Sequence, residues 1–230
     1  MAIAAASIAA LCMQSCRFVK VKGKLAEGII SSKVVEAKGD MITKEMADVA
    51  DFTTIVCEGS YDINYVIGDS YLKISAPENV IEHIVANVEN GILKVGTDGT
   101  KFRNLKNVTV IVKSPALDKI VVDGAADVAA PQIRSNGTFD LEINGAADID
   151  IDSLEADNVN VTINGAGDLD MEGLQTGGLK VEINGAGDVK VWGRANSANF
   201  TINGAGSIDA KKLDCPDINT NRNGIGKVYR

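Results

Sequence analysis

The chain has 230 residues, of which 45% are hydrophobic and only 4% aromatic, and it contains 23 glycines. A chain of this length can bury a sizeable core, and this balance favours an elongated fold with small repeated turns over a globule with a large aromatic centre. The formal net charge of −8 repels nucleic acid and anionic lipid head groups, and no cluster of Lys or Arg with interleaved aromatics offsets it. Composition therefore argues against a nucleic-acid partner.

The N-terminus is predicted to be an export signal. Residues 2–13 are almost wholly small or apolar and lead to Cys16 just before the first charge, Arg17. This run is too short to span a bilayer, which needs about 20 apolar residues, but it fits the apolar region of a signal peptide, although no Lys or Arg precedes it. The segment resembles a bacterial lipoprotein signal. We predict a signal peptide over residues 1–16, lipid attachment at Cys16 and an anchor in the outer membrane of the cell envelope; the alternative is an apolar helix of the mature fold.

The next hundred residues divide into a tether and a β-rich segment. Residues 17–48 are mixed in charge and poorly patterned, which predicts a tether with one strand around Ile42. Within residues 49–116, strand-like runs separated by turn residues cover 53–57, 61–67, 71–75, 92–95 and 108–113. A short helix is predicted near residues 78–84. We expect this irregular part to cap one end of the core that the following residues build.

Residues 117–230 contain an internal repeat of about twenty residues. Subtracting successive first glycines of the motif gives intervals of 21, 20, 20, 19 and 20 residues for Gly124, Gly145, Gly165, Gly185, Gly204 and Gly224. Around each glycine, apolar and polar residues alternate with the period of a strand that has one buried face, as Val159, Val161 and Ile163 do before Gly165. One repeat is thus predicted to be strand, Gly-rich corner, strand and loop, with Leu154, Leu174 and Leu213 closing the core at a second corner.

Two β architectures could contain such a repeat. In a meander of hairpins, successive strands run antiparallel and equivalent residues need not stack, whereas stacked coils require each repeat to match its neighbours about 4.8 Å away. The near-constant interval favours stacking. We predict an all-β fold, a parallel β-helix (β-solenoid) with coils of about 20 residues, as a single domain over residues 49–230. A ladder of side-chain amides is expected at one corner position, formed by Asn144, Asn164, Asn184, Asn203 and Asn223.

Aspartates at equivalent positions of successive coils predict an acidic column. Its members are Asp127, Asp148, Asp168 and Asp188, with Asp150 and Asp170 two residues further on and facing the same side. Unit charges about 5 Å apart repel by ~1 kcal/mol in water, so something must compensate. Hydrogen bonds from amides at the glycine corners are one solution, and Ca²⁺ held between coils by oxygen ligands is another. A third interpretation is a pair of catalytic carboxylates; beyond this Ca²⁺, no cofactor is predicted.

Few other residues offer chemistry. Trp192 with Lys190 and Arg194 is the one aromatic-plus-basic cluster and a candidate sugar contact, with a packing or subunit contact as the alternative. His83 is the single histidine and is expected to lie on the surface. Cys57 and Cys215 are expected to be free thiols without a disulfide. We predict no catalytic residue.

The motifs of residues 50–228 are similar to the family described as putative auto-transporter adhesin, head GIN domain. The similarity rests on the 143–145, 163–165, 183–185 and 202–204 Ile-Asn-Gly triplets, together with the runs from Phe52 to Ile63 and from Pro77 to Leu93. It implies an exported bacterial protein, commonly a lipoprotein, with a β-helical fold. The expected function is non-catalytic: the protein is either an adhesin that binds an unknown polysaccharide or surface protein, or a structural protein of the cell envelope, and it could form oligomers. A polysaccharide-active lyase or hydrolase and a periplasmic accessory protein are the alternatives.

Overall fold

The computed structural model describes residues 34–46, 48–105 and 108–230. The N-terminal elements are β1 (Val34–Glu36), β2 (Met41–Met46), β3 (Thr54–Cys57), β4 (Ser60–Ile67), β5 (Tyr71–Pro77), α1 (Glu78–Ile81), β6 (Ile84–Glu89), β7 (Ile92–Thr97), β8 (Lys101–Arg103) and β9 (Thr109–Ser114). The elements of the repeats are β10 (Lys119–Val122), β11 (Ala125–Ala130), β12 (Ile133–Arg134), β13 (Thr138–Ile143), β14 (Ala146–Ile151), β15 (Leu154–Ile163), β16 (Ala166–Ile183), β17 (Ala186–Ile202), β18 (Ala205–Asp214), β19 (Asp217–Arg222) and β20 (Ile225–Tyr229). The all-β prediction is confirmed.

The repeats form a stack of parallel coils, so the solenoid prediction is confirmed and the hairpin meander is not the fold. Strands before the glycine corner stack in register in the order β3, β10, β13, β15, β16, β17 and β19. Strands after it stack as β4, β11, β14, β16, β17, β18 and β20. We call the outer surface of the first stack the amide face and that of the second the acidic face. A third side, built from β12, the start of β15, the middle parts of β16 and β17 and the end of β18, completes about six turns.

Aliphatic ladders fill the interior of the solenoid. Ile143, Ile163 and Ile183 occupy the same inward position in successive coils, and each is 0% exposed. Leu154 and Leu174 are also fully buried and Leu213 nearly so, which confirms the predicted second corner. Fully burying one such side chain stabilises the fold by about 1.5–3 kcal/mol. Each coil therefore gains its stability mainly from the coil on either side.

Glycine is required at the first corner because adjacent coils touch there through their backbones. A Cβ atom at Gly165 would overlap the carbonyl oxygen of Gly145, and the same overlap recurs along the corner. That carbonyl accepts a hydrogen bond of 2.9 Å from the amide of Ala166. The close approach thus lets the hydrogen-bond ladder continue around the corner.

In the N-terminal part, chain order and spatial order differ. The first coil is β3 and β4, with Gly59 stacked beneath Gly124 at the corner. β7 and β9 come later in the chain but lie on the other side of this coil, parallel to β3 and β4. The antiparallel strands β5, β6 and β2 follow outward, and α1 packs against β2 and β5. These strands and α1 cover one end of the solenoid, which confirms the predicted β-rich N-terminal cap.

Two sequence-based boundaries need correction. The helix ends at Ile81 instead of residue 84. The chain after it forms the unpredicted strand β6, which pairs antiparallel with β7 across a tight turn. Asn90 and Gly91, with φ of 53° and 76°, form that turn. Residues 34–46, assigned above to the tether, form β1 and β2, which pair with β8 and β5. The strand expected around Ile42 is β2, and the paired region begins by Val34.

The signal peptide, Cys16 and residues 17–33 of the tether lie outside the described residues. Across the ranges that are described, no helix has the length and apolar character needed to cross a membrane.

The two cysteines of the described part lie far apart. Cys57 is fully buried in the first coil, whereas Cys215 is partly exposed just before β19. The stacked strands β10, β13, β15, β16 and β17 separate them, a distance of more than about 20 Å at the usual strand spacing. A disulfide cannot join them, since its Cα atoms must lie within about 7 Å.

Candidate functional site

The predicted aspartates stack in register on the acidic face. Asp127 pairs with Asp148, and Asp148 with Asp168, while Asp188 pairs with Ser207 in the next coil. The structure adds Asp62, which pairs with Asp127. The sequence contained a signal for Asp62, because residues 59–62 repeat the Gly-x-x-Asp pattern of residues 124–127. The separation of these two motifs does not match the twenty-residue interval, so the repeat did not reveal it. The column therefore holds five carboxylates on consecutive coils.

Hydrogen bonds and one lysine compensate part of this column. The Oδ1 atom of Asp168 accepts from the backbone amide of Asp188 at 2.9 Å. Asp188 Oδ1 accepts from the amide and hydroxyl of Ser207 at 2.8 and 2.7 Å. The donor amides directly follow Gly187 and Gly206 at the corner of the next coil, so hydrogen bonding by corner amides, one of the two predicted solutions, is present at Asp168 and Asp188.

Lys190 lies in the row formed by Asp150 and Asp170, two residues beyond the main column. Its ammonium lies 2.9 Å from the carboxylate of Asp170, and this hydrogen bond, with the charge of Asp170, raises the pKa of Lys190. In the part of the chain that the structure describes, no group of three or more Asp, Glu, His or Cys side chains converges as a metal site would require. Calcium bound between coils stays an untested alternative to hydrogen bonding.

The candidate sugar-contact residues do not converge. The ammonium of Lys212 lies 3.6 Å from the centre of the Trp192 ring, and the Arg194 guanidinium lies 3.2 Å from Asp214. Lys190 is on the acidic face and Arg194 on the third side, with Trp192 at the corner between them. Each residue is already engaged with a neighbouring coil, which agrees better with the packing alternative than with a joint sugar site.

His83 lies in the N-terminal cap beside a carboxylate and a hydroxyl. Its Nδ1 atom is 2.9 Å from Asp98 Oδ2 and 3.2 Å from Thr100 Oγ1. Partial burial raises the pKa of Asp98, but hydrogen bonds with His83 and Thr100 outweigh it and hold the pKa below its ordinary value. A hydrolytic relay needs the carboxylate and the nucleophile on opposite ring nitrogens. Here both contact Nδ1, so the cluster is arranged as a structural contact.

The predicted amide ladder is present at the edge of the amide face. Asn164 donates to Asn144, Asn184 to Asn164, Asn203 to Asn184, and Asn223 to Asn203, at 2.7–3.0 Å. The ladder starts at Asp123, which sequence reasoning missed and which accepts from Asn144 at 2.8 Å. Its amides are therefore used within the protein.

A polar groove on the third side was not predicted. It has a volume of about 400 Å³ and runs across the corner between the third side and the amide face. Residues from successive coils line it, among them Arg134, Glu155, Asp157, Gln175, Gly177 and Asn196. The pair Gly177-Gly178 was its only sequence signal, because it replaces polar side chains found at this corner in the neighbouring coils.

Comparisons with known proteins address fold and family. The family model described as "Putative auto-transporter adhesin, head GIN domain" matches residues 51–229. A crystal structure of a putative adhesin from Bacteroides fragilis is 23% identical, with a TM-score of 0.67, covering 85% of this chain and 99% of that one. A putative lipid binding protein from Parabacteroides distasonis is 17% identical, with a TM-score of 0.53, covering 86% and 100%. At these identities the two structures show a shared fold alone. No curated protein matches the sequence.

Proposed function

From the premise that this chain belongs to the family of head GIN domains described as putative auto-transporter adhesins, we propose that it is a non-catalytic, adhesin-like binding protein of the bacterial cell envelope. Its partner is a surface polysaccharide or a surface protein. Family membership supports the class of function, and the geometry of the solenoid supports the manner of binding.

The observation that carries the proposal is the in-register repetition of outward side chains. Equivalent polar groups recur on every coil of the acidic face, as the pairing of Asp127, Asp148 and Asp168 shows. Parallel strands place such groups about 4.8 Å apart. An elongated partner with its own short repeat can then make many weak equivalent contacts, which together give useful avidity.

The enzyme alternative finds less support in the geometry. A lyase site on a β-helix needs a basic side chain free to take a proton, whereas Lys190 and Arg194 are each paired with a carboxylate at 2.9 and 3.2 Å. If the chain nevertheless acts as a lyase, incubation with uronic-acid polymers will produce unsaturated chain ends that absorb in the ultraviolet. We expect none.

We further propose that the protein is anchored through a lipid on Cys16. The apolar run before this cysteine supports the proposal. Metabolic labelling with a palmitate analogue should modify the full-length protein but not the Cys16→Ser variant. Labelling of both proteins, or of neither, would contradict it.

Surface display is tested by protease shaving of intact cells that express the full chain, with a periplasmic protein as the control. We expect the solenoid to be removed while the control stays intact. Expressing cells should then adhere to a glycan- or protein-coated surface better than cells without the protein. Complete protection from protease would overturn surface adhesion and leave a periplasmic accessory role.

A further inference from the structure

The polar groove on the third side differs from the amide ladder because three of its hydrogen-bonding side chains are not consumed by neighbouring coils. On the amide face, each asparagine of the ladder bonds the next. By contrast, within the described ranges no hydrogen-bond partner is found for the side chains of Asp157, Gln175 or Asn196. These three groups come from three consecutive coils and line one concavity.

Glycine forms the floor of this concavity. Gly177 lies between Asp157 of the preceding coil and Asn196 of the next, so the middle coil lacks the side chain that its neighbours carry. The hydroxyl of Thr176 lies 3.1 Å from the carbonyl oxygens of both Asp157 and Gly178, and its one proton is shared between them. The contact with Asp157 ties the floor to the preceding coil. The groove is thus a fixed feature of the solenoid.

The charges around the groove limit what can enter it. Arg134 lies 3.5 Å from Glu155, which largely neutralises both groups, whereas Asp157 carries an unpaired negative charge. An anionic ligand would be repelled. A ligand rich in hydroxyl groups can donate to the Asp157 carboxylate and both donate to and accept from the amides of Gln175 and Asn196. The volume of about 400 Å³ falls within the range of about 300–1,000 Å³ that is usual for small-ligand sites.

We propose that this groove binds a short segment of an uncharged glycan, with Asp157, Gln175 and Asn196 holding its hydroxyl groups. The proposal rests on the adhesin-like function and specifies its ligand class and its site. Because the groove crosses several coils, the glycan chain lies along the solenoid axis and continues beyond the groove at both ends.

The test is a titration of the ¹⁵N-labelled protein with cellotetraose, mannotetraose and N-acetylchitotetraose, with tetragalacturonate as the anionic probe. We expect at least one neutral tetrasaccharide to shift the amide signals of Gly177 and Gly178 and the side-chain amides of Gln175 and Asn196. Tetragalacturonate should leave them unchanged. Asp157→Ala and Asn196→Ala should each weaken binding about tenfold, as expected for the loss of a hydrogen bond to the ligand.

Matched controls separate the groove from the other faces. Asn199→Ala, on the same strand as Asn196 but outside the groove, and Asp127→Ala, on the acidic face, should bind as the wild type does. Gly177→Asn should abolish binding by filling the floor. A Cβ at this position would lie 2.9 Å from the Asp157 carbonyl oxygen, so an unchanged circular dichroism spectrum must accompany the loss.

The outcomes distinguish the site from the proposed function. Shifts confined to the acidic or amide face, or full binding by Asn196→Ala and Asp157→Ala, would overturn the groove as the site while leaving glycan binding intact. No response to any neutral tetrasaccharide would overturn the glycan proposal, and adhesion of expressing cells to a protein-coated surface would then still support an adhesin. Failure of adhesion itself would contradict the proposed function.

Discussion

At the scale of single residues, the corner glycines set how closely the coils can stack. Replacing Gly165 with Ala would force its Cβ onto the carbonyl of Gly145 and push two coils apart. We expect Gly165→Ala to lower the free energy of unfolding by about 3 kcal/mol or more, measured by urea denaturation. Gly137→Ala is the control, since its Cβ would meet no atom within 4 Å. Equal effects of the two substitutions would contradict the close-approach explanation.

The environment of Cys57 predicts its reactivity. Burial, followed by the nearby charges of Asp123 and Glu58, raises the pKa of the Cys57 thiol to about 12. Because the thiolate is the reactive form, Cys57 should be inert toward a disulfide reagent near pH 8 until the protein unfolds. In a Cys12→Ser, Cys16→Ser background, we expect one rapidly reacting thiol, from the partly exposed Cys215, and none after Cys215→Ala. Rapid reaction of the Cys215→Ala protein would show that the first coil opens readily.

The same pKa gives a pH dependence with a definite sign. A thiol that ionises at about 9.0 in the unfolded chain and about 12 in the folded one stabilises the fold fully below pH 9. This contribution decreases as the pH rises from about 9 towards 12, because only the unfolded chain then loses the proton.

At the scale of elements, the amide ladder joins coils through side chains. Removing one member breaks its hydrogen bonds to both neighbours, and because the ladder is exposed, water replaces part of the loss, so the cost is about 0.5–1.5 kcal/mol. We expect Asn184→Ala to lower the free energy of unfolding by this amount, measured by urea denaturation. Asn199→Ala lies outside the ladder and should change it little. An unchanged free energy of unfolding in Asn184→Ala would mean that water replaces the lost hydrogen bonds without cost.

The acidic column predicts little response to calcium. Asp168 and Asp188 already accept backbone hydrogen bonds, and Asp170 is paired with Lys190. We therefore expect the melting temperature to be the same in EDTA and in millimolar CaCl₂. A rise of several degrees with calcium, abolished in Asp148→Asn, would instead establish cation binding between coils.

Sequence periodicity predicted elements well where each coil repeats the previous one. Around Gly165 the alternation of Val161 and Ile163 fixes which side chains face inward, because only one register buries them. It failed at β6, where a short apolar run after α1 reads equally as helix or strand. Pairing with β7 decided that case, and pairing with β5 likewise brought β2 into the domain.

At the scale of the whole molecule, the two ends of the solenoid are closed differently. Antiparallel strands and α1 cover the first end. At the other end, β19 and β20 each pair on one side only with strands of the described chain. There Arg222 takes the inward position that Ile202 holds in the preceding coil, and Lys227 ends the acidic column. Charged groups at such an edge discourage pairing with another chain.

This difference predicts the effect of removing the basic groups. We expect Arg222→Ile with Lys227→Ala to extend the aliphatic ladder onto an open edge and cause concentration-dependent end-to-end association, measured by sedimentation velocity. Lys180→Ile with Lys94→Ala, two exposed positions away from this edge, should remain monodisperse like the wild type. A monodisperse Arg222→Ile, Lys227→Ala protein would show that the edge needs no protection by charge.

The sequence by itself determined the solenoid, its corner glycines, its amide ladder and most of its acidic column. It could do so because stacking forces equivalent residues into contact, so the same side chains recur at a fixed interval. Only the tertiary structure placed Asp62 and Gly59 in the same columns, since the chain leaves the stack and returns between the first coil and the second. It also separated Trp192 from a joint site and opened the groove at Gly177, because both depend on which side chains neighbouring coils present. Such differences between coils carry no period that a sequence can reveal.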